Sequence, residues 1–144
     1  MTEEERRAEE AASQHRPRAR RRTRQRSVIQ RVLLEANRPL SPHDILQTAQ
    51  AMAPGLGIAT VYRAIHTMLT EGMLVAVAIP GEAPRYETAG KDHHHHFQCR
   101  TCDDIFDIQG CLPQIQELAP KGFRLEGHQV VLYGVCPPCT GMPA

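Results

Sequence analysis

Apolar residues recur at helical spacing in three segments of the first half of the chain, at about 27–36, 41–52 and 58–71. A repeat of three to four residues is typical of amphipathic helices that bury one face. Ser41 followed by Pro42 predicts a helix start, because serine caps the free N–H groups and proline suits the first helical position. The predicted buried positions are Val28, Ile29, Val32, Leu33, Ile45, Leu46, Ala49, Val61, Ile65, Met68 and Leu69.

A hairpin is predicted after the third helix. Residues 73–79 form a β-rich run, Pro80 and Gly81 form a turn, and 84–88 begin the return strand. Three helices followed by a hairpin predict a winged helix-turn-helix, in which the third helix enters the DNA major groove. The alternative is a helical domain that binds no nucleic acid. The DNA interpretation is favoured by three polar groups near the start of the third helix: Thr60, Tyr62 and Arg63.

The second half of the chain predicts a small α/β unit. A histidine-rich strand follows a hinge at Gly90 and Lys91, and a turn leads to a second strand at 105–108. A short helix at 113–118 and a β-rich run at 123–135 complete it. The predicted fold class is therefore α+β, with a disordered basic arm at 1–23, a winged-helix domain at 24–89 and a metal-binding dimerisation domain at 90–144. The last unit is too small to bury much surface, so zinc and a partner subunit are expected to stabilise it.

Charge is distributed unevenly along the 144 residues, although the net charge is only +1. Residues 1–26 carry nine Arg and five Glu, whereas 92–144 are acidic overall. The arginine run is either a solvated tail or an arm that binds DNA phosphates. The sequence contains no apolar run long enough to span a membrane and no signal-peptide segment, so we expect a cytoplasmic protein with no membrane partner.

Four cysteines form two Cys-x-x-Cys pairs, Cys99 with Cys102 and Cys136 with Cys139. Four thiolates arranged in this way are typical of a closed tetrahedral zinc site that stabilises a fold. Thiol–disulfide catalysis is the rival use of such pairs, but the βαβ pattern of a thioredoxin-like enzyme is absent from the sequence. The fifth cysteine, Cys111, is interpreted as a small buried apolar residue, with a metal or redox role as the alternative.

Four consecutive histidines precede the first cysteine pair. Neighbouring side chains of a strand point to opposite faces, so His93 and His95 share one face while His94 and His96 share the other. The strand therefore presents two imidazole pairs to two different environments.

The segments GIATVYRAI (57–65) and HHHHFQC (93–99), the late Tyr133–Gly134 pair and the two Cys-x-x-Cys motifs together resemble the ferric uptake regulator superfamily of metal-dependent bacterial transcription regulators. Members sense iron, zinc, manganese or peroxide. The resemblance implies a metal-loaded homodimer that represses metal-uptake or stress genes by binding a palindromic operator in double-stranded DNA.

The resemblance also implies three metal sites. The structural zinc site corresponds to the four paired cysteines. The regulatory site, for Zn²⁺, Fe²⁺ or Mn²⁺, corresponds to Glu87, His94, His96 and Asp107. A further site corresponds to His93, His95 and His128, with Gln114 where the family usually has a glutamate.

One regulatory ligand of the family has no counterpart. Pro39 stands where a histidine before the second helix is usual, and His43 and His66 are possible substitutes that are predicted to be surface residues.

Two other classes of protein compete with the regulator. One is a zinc-ribbon interaction protein without sequence-specific DNA binding. The other is a zinc-dependent hydrolase, which would need an open metal and a positioned base, and no His-Glu-x-x-His motif supplies them. The sequence therefore favours a protein that is not an enzyme and has no small-molecule substrate.

Overall fold

The protein is described by a computed structural model that covers residues 2–141, without the side chains of residues 8–17. Helices and strands both contribute, as the α+β prediction requires. In chain order the elements are α1 (Glu3–Ala36), α2 (Pro42–Gln50), α3 (Ile58–Thr70), β1 (Leu74–Val77), β2 (Arg85–Thr88), β3 (His94–Cys99), β4 (Ile105–Gln109), a 3₁₀ helix (Ile115–Leu118), β5 (Val131–Gly134) and α4 (Pro137–Thr140).

The three long helices begin and end close to the signals in the sequence, except at the start of α1. α1 ends at Asn37, which adopts a left-handed conformation with φ 47°. The Ser41 hydroxyl accepts a hydrogen bond from the Asp44 amide, and the Asp44 carboxylate accepts one from the Ser41 amide. This reciprocal capping, with Pro42 at the first helical position, confirms the predicted start of α2.

The apolar faces of α1, α2 and α3 meet in one core. The buried members are Ile29, Val32, Leu33, Leu40, Ile45, Ala49, Leu56, Val61, Ala64, Ile65, Met68 and Leu74. The remaining predicted core positions, Val28, Leu46 and Leu69, are partly buried against it.

The first helix is much longer than the sequence pattern predicts. The pattern predicts a disordered arm at 1–23 and a helix at 27–36, but α1 is helical from Glu3 onward. Its start is stabilised by a capping box of Thr2 with Glu5. Further along, Arg21 donates to the carbonyl of Gly55 at 3.3 Å and Arg26 pairs with Glu71. These contacts hold the basic segment against the rest of the domain, and single-sequence periodicity could not show them.

The wing is an antiparallel pair, β1 with β2, in which Val75 lies opposite Glu87. A third strand-like contact comes from the segment before α2, where Leu40 and Tyr86 exchange two backbone hydrogen bonds of 2.9 Å. The hairpin is therefore joined to the helices, and the predicted winged helix-turn-helix is formed.

The second sheet has the order β4-β3-β5, with β3 antiparallel to β4 and parallel to β5. Gly134 on β5 leaves room for the Phe97 ring, because a Cβ at this position would lie 2.8 Å from the ring and displace it. Only Val131–Gly134 of the predicted β-rich run 123–135 forms a strand, and Phe123 within it is exposed. The predicted short helix is a 3₁₀ turn, and the sequence pattern does not predict the final helix α4.

The wing packs on the second sheet through a small apolar cluster of Val77, Ile79 and Ile105, with Val131 at its edge. Arg38, just after α1, adds an ion pair with Asp104 at 3.3 Å. Within residues 2–141, no helix combines the length and the apolar character that crossing a bilayer requires.

Candidate metal centres

The four paired cysteines converge at one end of the second sheet. Their sulfur atoms all lie within 4.8 Å of one another, and the Sγ atoms of Cys102 and Cys136 are 3.7 Å apart. Cys99 and Cys136 are buried, whereas Cys102 is exposed. The structure thus brings together the four residues that the sequence groups, and four converging sulfur donors fit a tetrahedral ion.

The local backbone positions each cysteine. Cys99 ends β3, and a turn closed by a hydrogen bond from the Asp103 amide to the Cys99 carbonyl, at 2.9 Å, places Cys102 beside it. Cys136 lies directly before α4, which places Cys139 one turn later. The Cys136 amide donates to the Cys99 sulfur at 3.3 Å, and this bond lowers the pKa of the Cys99 thiol to about 6.

The remaining thiols do not all ionise by themselves. Contact with the Cys136 thiol, together with burial, raises the pKa of Cys139 to about 12. Four sulfurs this close cannot all be thiolates without a compensating cation, because like charges at such distances repel strongly. The cluster is therefore suited to a divalent cation with an affinity for sulfur.

A second cluster lies between the wing and the second sheet. It comprises Glu87 from β2, His94 and His96 from β3, and Asp107 from β4, with candidate donor atoms within 4.8 Å of one another. His94 Nε2 is 3.0 Å and His96 Nε2 is 3.6 Å from Glu87 Oε1. Asp107 reaches the same place because it pairs directly with His96 across the β3–β4 ladder.

The donor atoms of this cluster are buried but incompletely satisfied. Among the described residues, the buried side-chain atoms without a hydrogen-bond partner are Nε2 of His95, Nε2 of His96 and Oδ1 of Asp107. Leaving such atoms unpaired is costly, and two of them belong to the second cluster. Two imidazole nitrogens and two carboxylate oxygens with lone pairs to spare fit a divalent cation such as Zn²⁺, Fe²⁺ or Mn²⁺.

Electrostatics keep the Glu87 carboxylate ionised. Burial by itself raises its pKa, but contacts with His96 and Lys91 and the charge of Lys91 outweigh burial and lower the pKa to about 2. Burial lowers the pKa of His94, yet the Asp92 carbonyl and the Glu87 charge reverse this, so its pKa is raised overall. The cluster is built to hold positive charge.

Lys91 belongs to the predicted hinge, but its ammonium group lies at this cluster. It donates to Glu87 Oε2 at 2.7 Å, to Asp107 Oδ2 at 2.6 Å and to the carbonyl of Asn37 at 3.2 Å. The histidines face the other oxygen of each carboxylate. Lys91 therefore fixes both carboxylates and connects them to the end of α1, and no sequence pattern points to this role.

The opposite face of β3 carries a third cluster of His93, His95, His128 and Cys111, again within 4.8 Å of one another. His93 Nε2 is 3.1 Å and Cys111 Sγ is 2.9 Å from His128 Nε2. The interpretation of Cys111 as a buried apolar residue is wrong, since this thiol is exposed. Gly110, with φ 86°, turns the chain after β4 and brings Cys111 to this face.

The remaining sequence candidates lie elsewhere. Pro39 is fully buried, and His43 and His66 are exposed and belong to none of the three clusters. Gln114, which stands where the family usually has a glutamate, is exposed at the start of the 3₁₀ helix.

The face predicted to bind DNA is polar and accessible. Tyr62 is half exposed on α3, and Arg63 donates to the Thr60 hydroxyl at 3.1 Å. An open cleft beside these residues is shared by α3 and the basic part of α1. Its lining includes Arg18, Arg21, Arg22, Arg26, Thr60, Arg63 and Thr67. The basic segment and the third helix thus form one continuous surface.

Comparison with known proteins gives consistent matches. The model of the ferric uptake regulator family matches residues 18–133. The ferric uptake regulation protein of Campylobacter jejuni is 32% identical over 127 residues, which cover 85% of this chain and 81% of that protein.

Solved structures agree in fold. A zinc-bound manganese uptake regulator superposes with a TM-score of 0.68 at 26% identity, covering 78% of this chain and 87% of that one. The iron-containing ferric uptake regulator of Francisella tularensis gives 0.63 at 25% identity, covering 81% and 91%.

Proposed function

The chain belongs to the ferric uptake regulator family, and we propose that it is a cytoplasmic transcription repressor whose metal-loaded homodimer binds a palindromic operator. The family consists of transcription regulators, which argues against the hydrolase alternative. The observation that carries the proposal is the cluster of Glu87, His94, His96 and Asp107, because it joins the wing to the second sheet through unsatisfied buried donors.

The regulatory role follows from where these ligands lie. Glu87 belongs to the wing, whereas His94, His96 and Asp107 belong to the second sheet. A divalent cation bound here would neutralise the carboxylates and fix the angle between the two parts of the chain. In a dimer that angle sets the separation of the two α3 helices, so the cation biases one DNA-binding geometry over others.

Lys91 links the regulatory cluster to the helices. Pro39 offers no ligand at the position where the family usually has a histidine from the DNA-binding domain. The Lys91 ammonium instead connects Glu87 and Asp107 to the carbonyl of Asn37 at the end of α1. In this proposal it transmits the position of the carboxylates to the helices.

The geometry favours zinc as the sensed metal. Lys91 occupies one oxygen of Glu87 and one of Asp107, which leaves a single oxygen of each for a cation. With two imidazoles this gives four donors, the number that zinc prefers, whereas manganese and iron(II) favour more oxygen ligands. The separate cluster of four cysteines is assigned to a structural zinc ion.

DNA recognition is assigned to α3 and the basic part of α1. Tyr62 and Arg63 project from α3, where side chains reach base edges and phosphates. The arginines of α1 that line the same cleft add charge for phosphate contacts.

The dimer interface is assigned to the second sheet. Among the described residues, several exposed large apolar side chains lie between the end of β4 and the end of β5, namely Leu112, Leu118, Phe123, Leu125, Leu132 and Tyr133. In addition, β5 is an edge strand. Exposed apolar surface beside an open strand edge is typical of a contact with a second copy.

Operator binding measured against added metal tests the proposal. The operator is first selected from random DNA with the zinc-loaded protein, and affinity is then followed by fluorescence anisotropy. His96→Ala should abolish the metal-stimulated increase in affinity while the cysteine-bound zinc and the dimer remain. His95→Ala is the matched control on the opposite face of β3, and its effect should be milder.

The same titration compares Zn²⁺, Mn²⁺ and Fe²⁺, and zinc should act at the lowest free concentration. Failure to select any DNA sequence would support the zinc-ribbon interaction protein instead. A larger decrease in affinity with His95→Ala than with His96→Ala would reverse the assignment of the two faces.

A further inference from the structure

The third cluster contains a sulfur donor that no motif of the sequence assigns to it. The sequence groups His93, His95 and His128 without a fourth ligand, and Gln114 is not a member of the cluster. The structure places the Cys111 sulfur 2.9 Å from His128 Nε2, while His93 Nε2 approaches the same nitrogen to 3.1 Å. Three imidazoles and one thiol therefore converge on one point.

A second observation indicates a ligand at this point. His95 is 5% exposed, and its Nε2 is one of the buried atoms without a hydrogen-bond partner. The ring centres of the three histidines lie between 4.7 and 5.0 Å apart, so this unpaired nitrogen belongs to a compact group of three imidazoles. Neutral imidazoles with free nitrogen lone pairs are the form that binds metals.

We propose that Cys111 completes a Cys–His₃ metal site with His93, His95 and His128, and that this site selects zinc-like ions over Mn²⁺ and Fe²⁺. A thiolate with three imidazoles is a soft, four-donor set of the kind that zinc and cobalt accept in tetrahedral geometry. Manganese prefers carboxylate and other oxygen donors, and this cluster of described residues contains none. Cys111 is thus the residue that determines the specificity of the site.

The site would also organise the surface next to it. His128 lies in the segment 119–130, which has no helix or strand, while His93 and His95 lie at the strand in the centre of the sheet. Binding would tie that segment to β3, together with the exposed apolar residues Phe123 and Leu125. An open cleft of about 550 Å³ that includes His93, Cys111 and His128 in its lining gives the site access to solvent. The inference does not depend on DNA binding.

Cobalt spectroscopy tests the ligand set. The full chain is prepared with one zinc per protomer in the cysteine cluster, verified by metal analysis, and is then titrated with Co²⁺. A sulfur-to-cobalt charge-transfer band should grow together with the intense visible bands of tetrahedral cobalt, while the zinc content stays constant. Constant zinc shows that the new sulfur ligand is not one of the four paired cysteines.

Three variants make the test specific. Cys111→Ser should abolish the charge-transfer band. It should also bind cobalt at least about 10- to 100-fold more weakly, because losing a residue that only orients a metal ligand already weakens binding by that factor. His96→Ala, on the other face of β3, should keep the band. Cys111→Asp should gain Mn²⁺ binding, measured by electron paramagnetic resonance.

Cys111 is exposed, so serine should not disturb folding, and circular dichroism checks this. The proposal is overturned if the parent protein gives no sulfur-to-cobalt band while its zinc is retained. It is overturned equally if Cys111→Ser keeps that band.

Discussion

Removing the metal from the cysteine cluster should unfold the second sheet and leave the helical domain folded. The perturbation is Cys136→Ser, or a strong chelator applied to the parent protein. Cys136 is buried at the start of α4, and its amide also holds the Cys99 sulfur. Replacement by serine keeps this amide but removes one of the four sulfur ligands, so it tests the loss of the metal itself.

The magnitude follows from the sizes of the two cores. The buried cluster around the second sheet contains Val77, Ile79 and Ile105, which contribute roughly 5–9 kcal/mol at about 1.5–3 kcal/mol each. Structural zinc contributes about 10–16 kcal/mol. The helical core buries ten large apolar side chains, which contribute roughly 15–30 kcal/mol on the same scale. We therefore expect the second sheet to lose its structure with the ion, and the helical core to keep it.

Hydrogen–deuterium exchange resolved by peptide, with metal content measured on the same sample, provides the assay. Amides of β3 and β5 should lose protection when the zinc is gone, while those of α2 and α3 keep it. Cys111→Ser is the control, because it removes a thiol outside the tetrad and should leave the zinc of the cysteine cluster and the protection of β5 unchanged. Persistent protection of β3 and β5 in protein proven to be metal-free would refute the reasoning.

Further outcomes are expected at the other surfaces. Lys91→Met should uncouple the regulatory cluster from α1, so that zinc binding measured by calorimetry persists but zinc raises operator affinity less than in the parent. An unchanged increase in operator affinity would mean that Lys91 does not couple the cluster to the helices. Arg63→Ala should weaken operator binding by about 1–3 kcal/mol and relax specificity if Arg63 reads a base edge. If the variant and the parent bind operator equally tightly at several salt concentrations, α3 is not the recognition helix. Replacing the α1 arginines of the cleft by glutamine should flatten the plot of log operator affinity against log salt concentration, by about 0.9 in slope for each phosphate that is no longer neutralised. An unchanged slope would mean that this segment does not contact DNA phosphates. Because the pKa of His94 is raised, protons compete for this ligand at higher pH than for a free histidine. Zinc activation should therefore weaken on acidification, beginning above the ordinary histidine pKa of about 6.5. Activation that stays constant on acidification through that pH would contradict a histidine ligand.

Much of the local structure could be predicted from the sequence because it depends on neighbours in the chain. Helix starts such as Ser41–Pro42 act through hydrogen bonds within one turn, and the structure reproduces them. The alternation of His93 to His96 follows from strand geometry alone, and the two imidazole pairs lie in two separate clusters. The grouping of the four cysteines follows from spacing that a metal site requires.

Other predictions failed because they depended on partners far along the chain. The basic segment before residue 24 has no apolar periodicity, yet it is helical as part of α1 and Arg21 contacts the carbonyl of Gly55, 34 residues further along the chain. The run 123–135 is rich in β-forming residues, but only the stretch that pairs with β3 becomes a strand. Strand propensity without a partner does not decide structure.

The helical segment 27–36, α2, α3, the cysteine cluster and the two faces of the histidine strand could all be derived from the chain's own pattern, because each rests on interactions over a few residues or on ligand spacing. The roles of Lys91 and Cys111 could not. Lys91 reaches Asp107 only because β3 and β4 pair, and Cys111 meets His128 only because the chain turns at Gly110. Ligand sets combine residues distant in sequence, and their convergence is fixed by packing and strand register rather than by any local pattern.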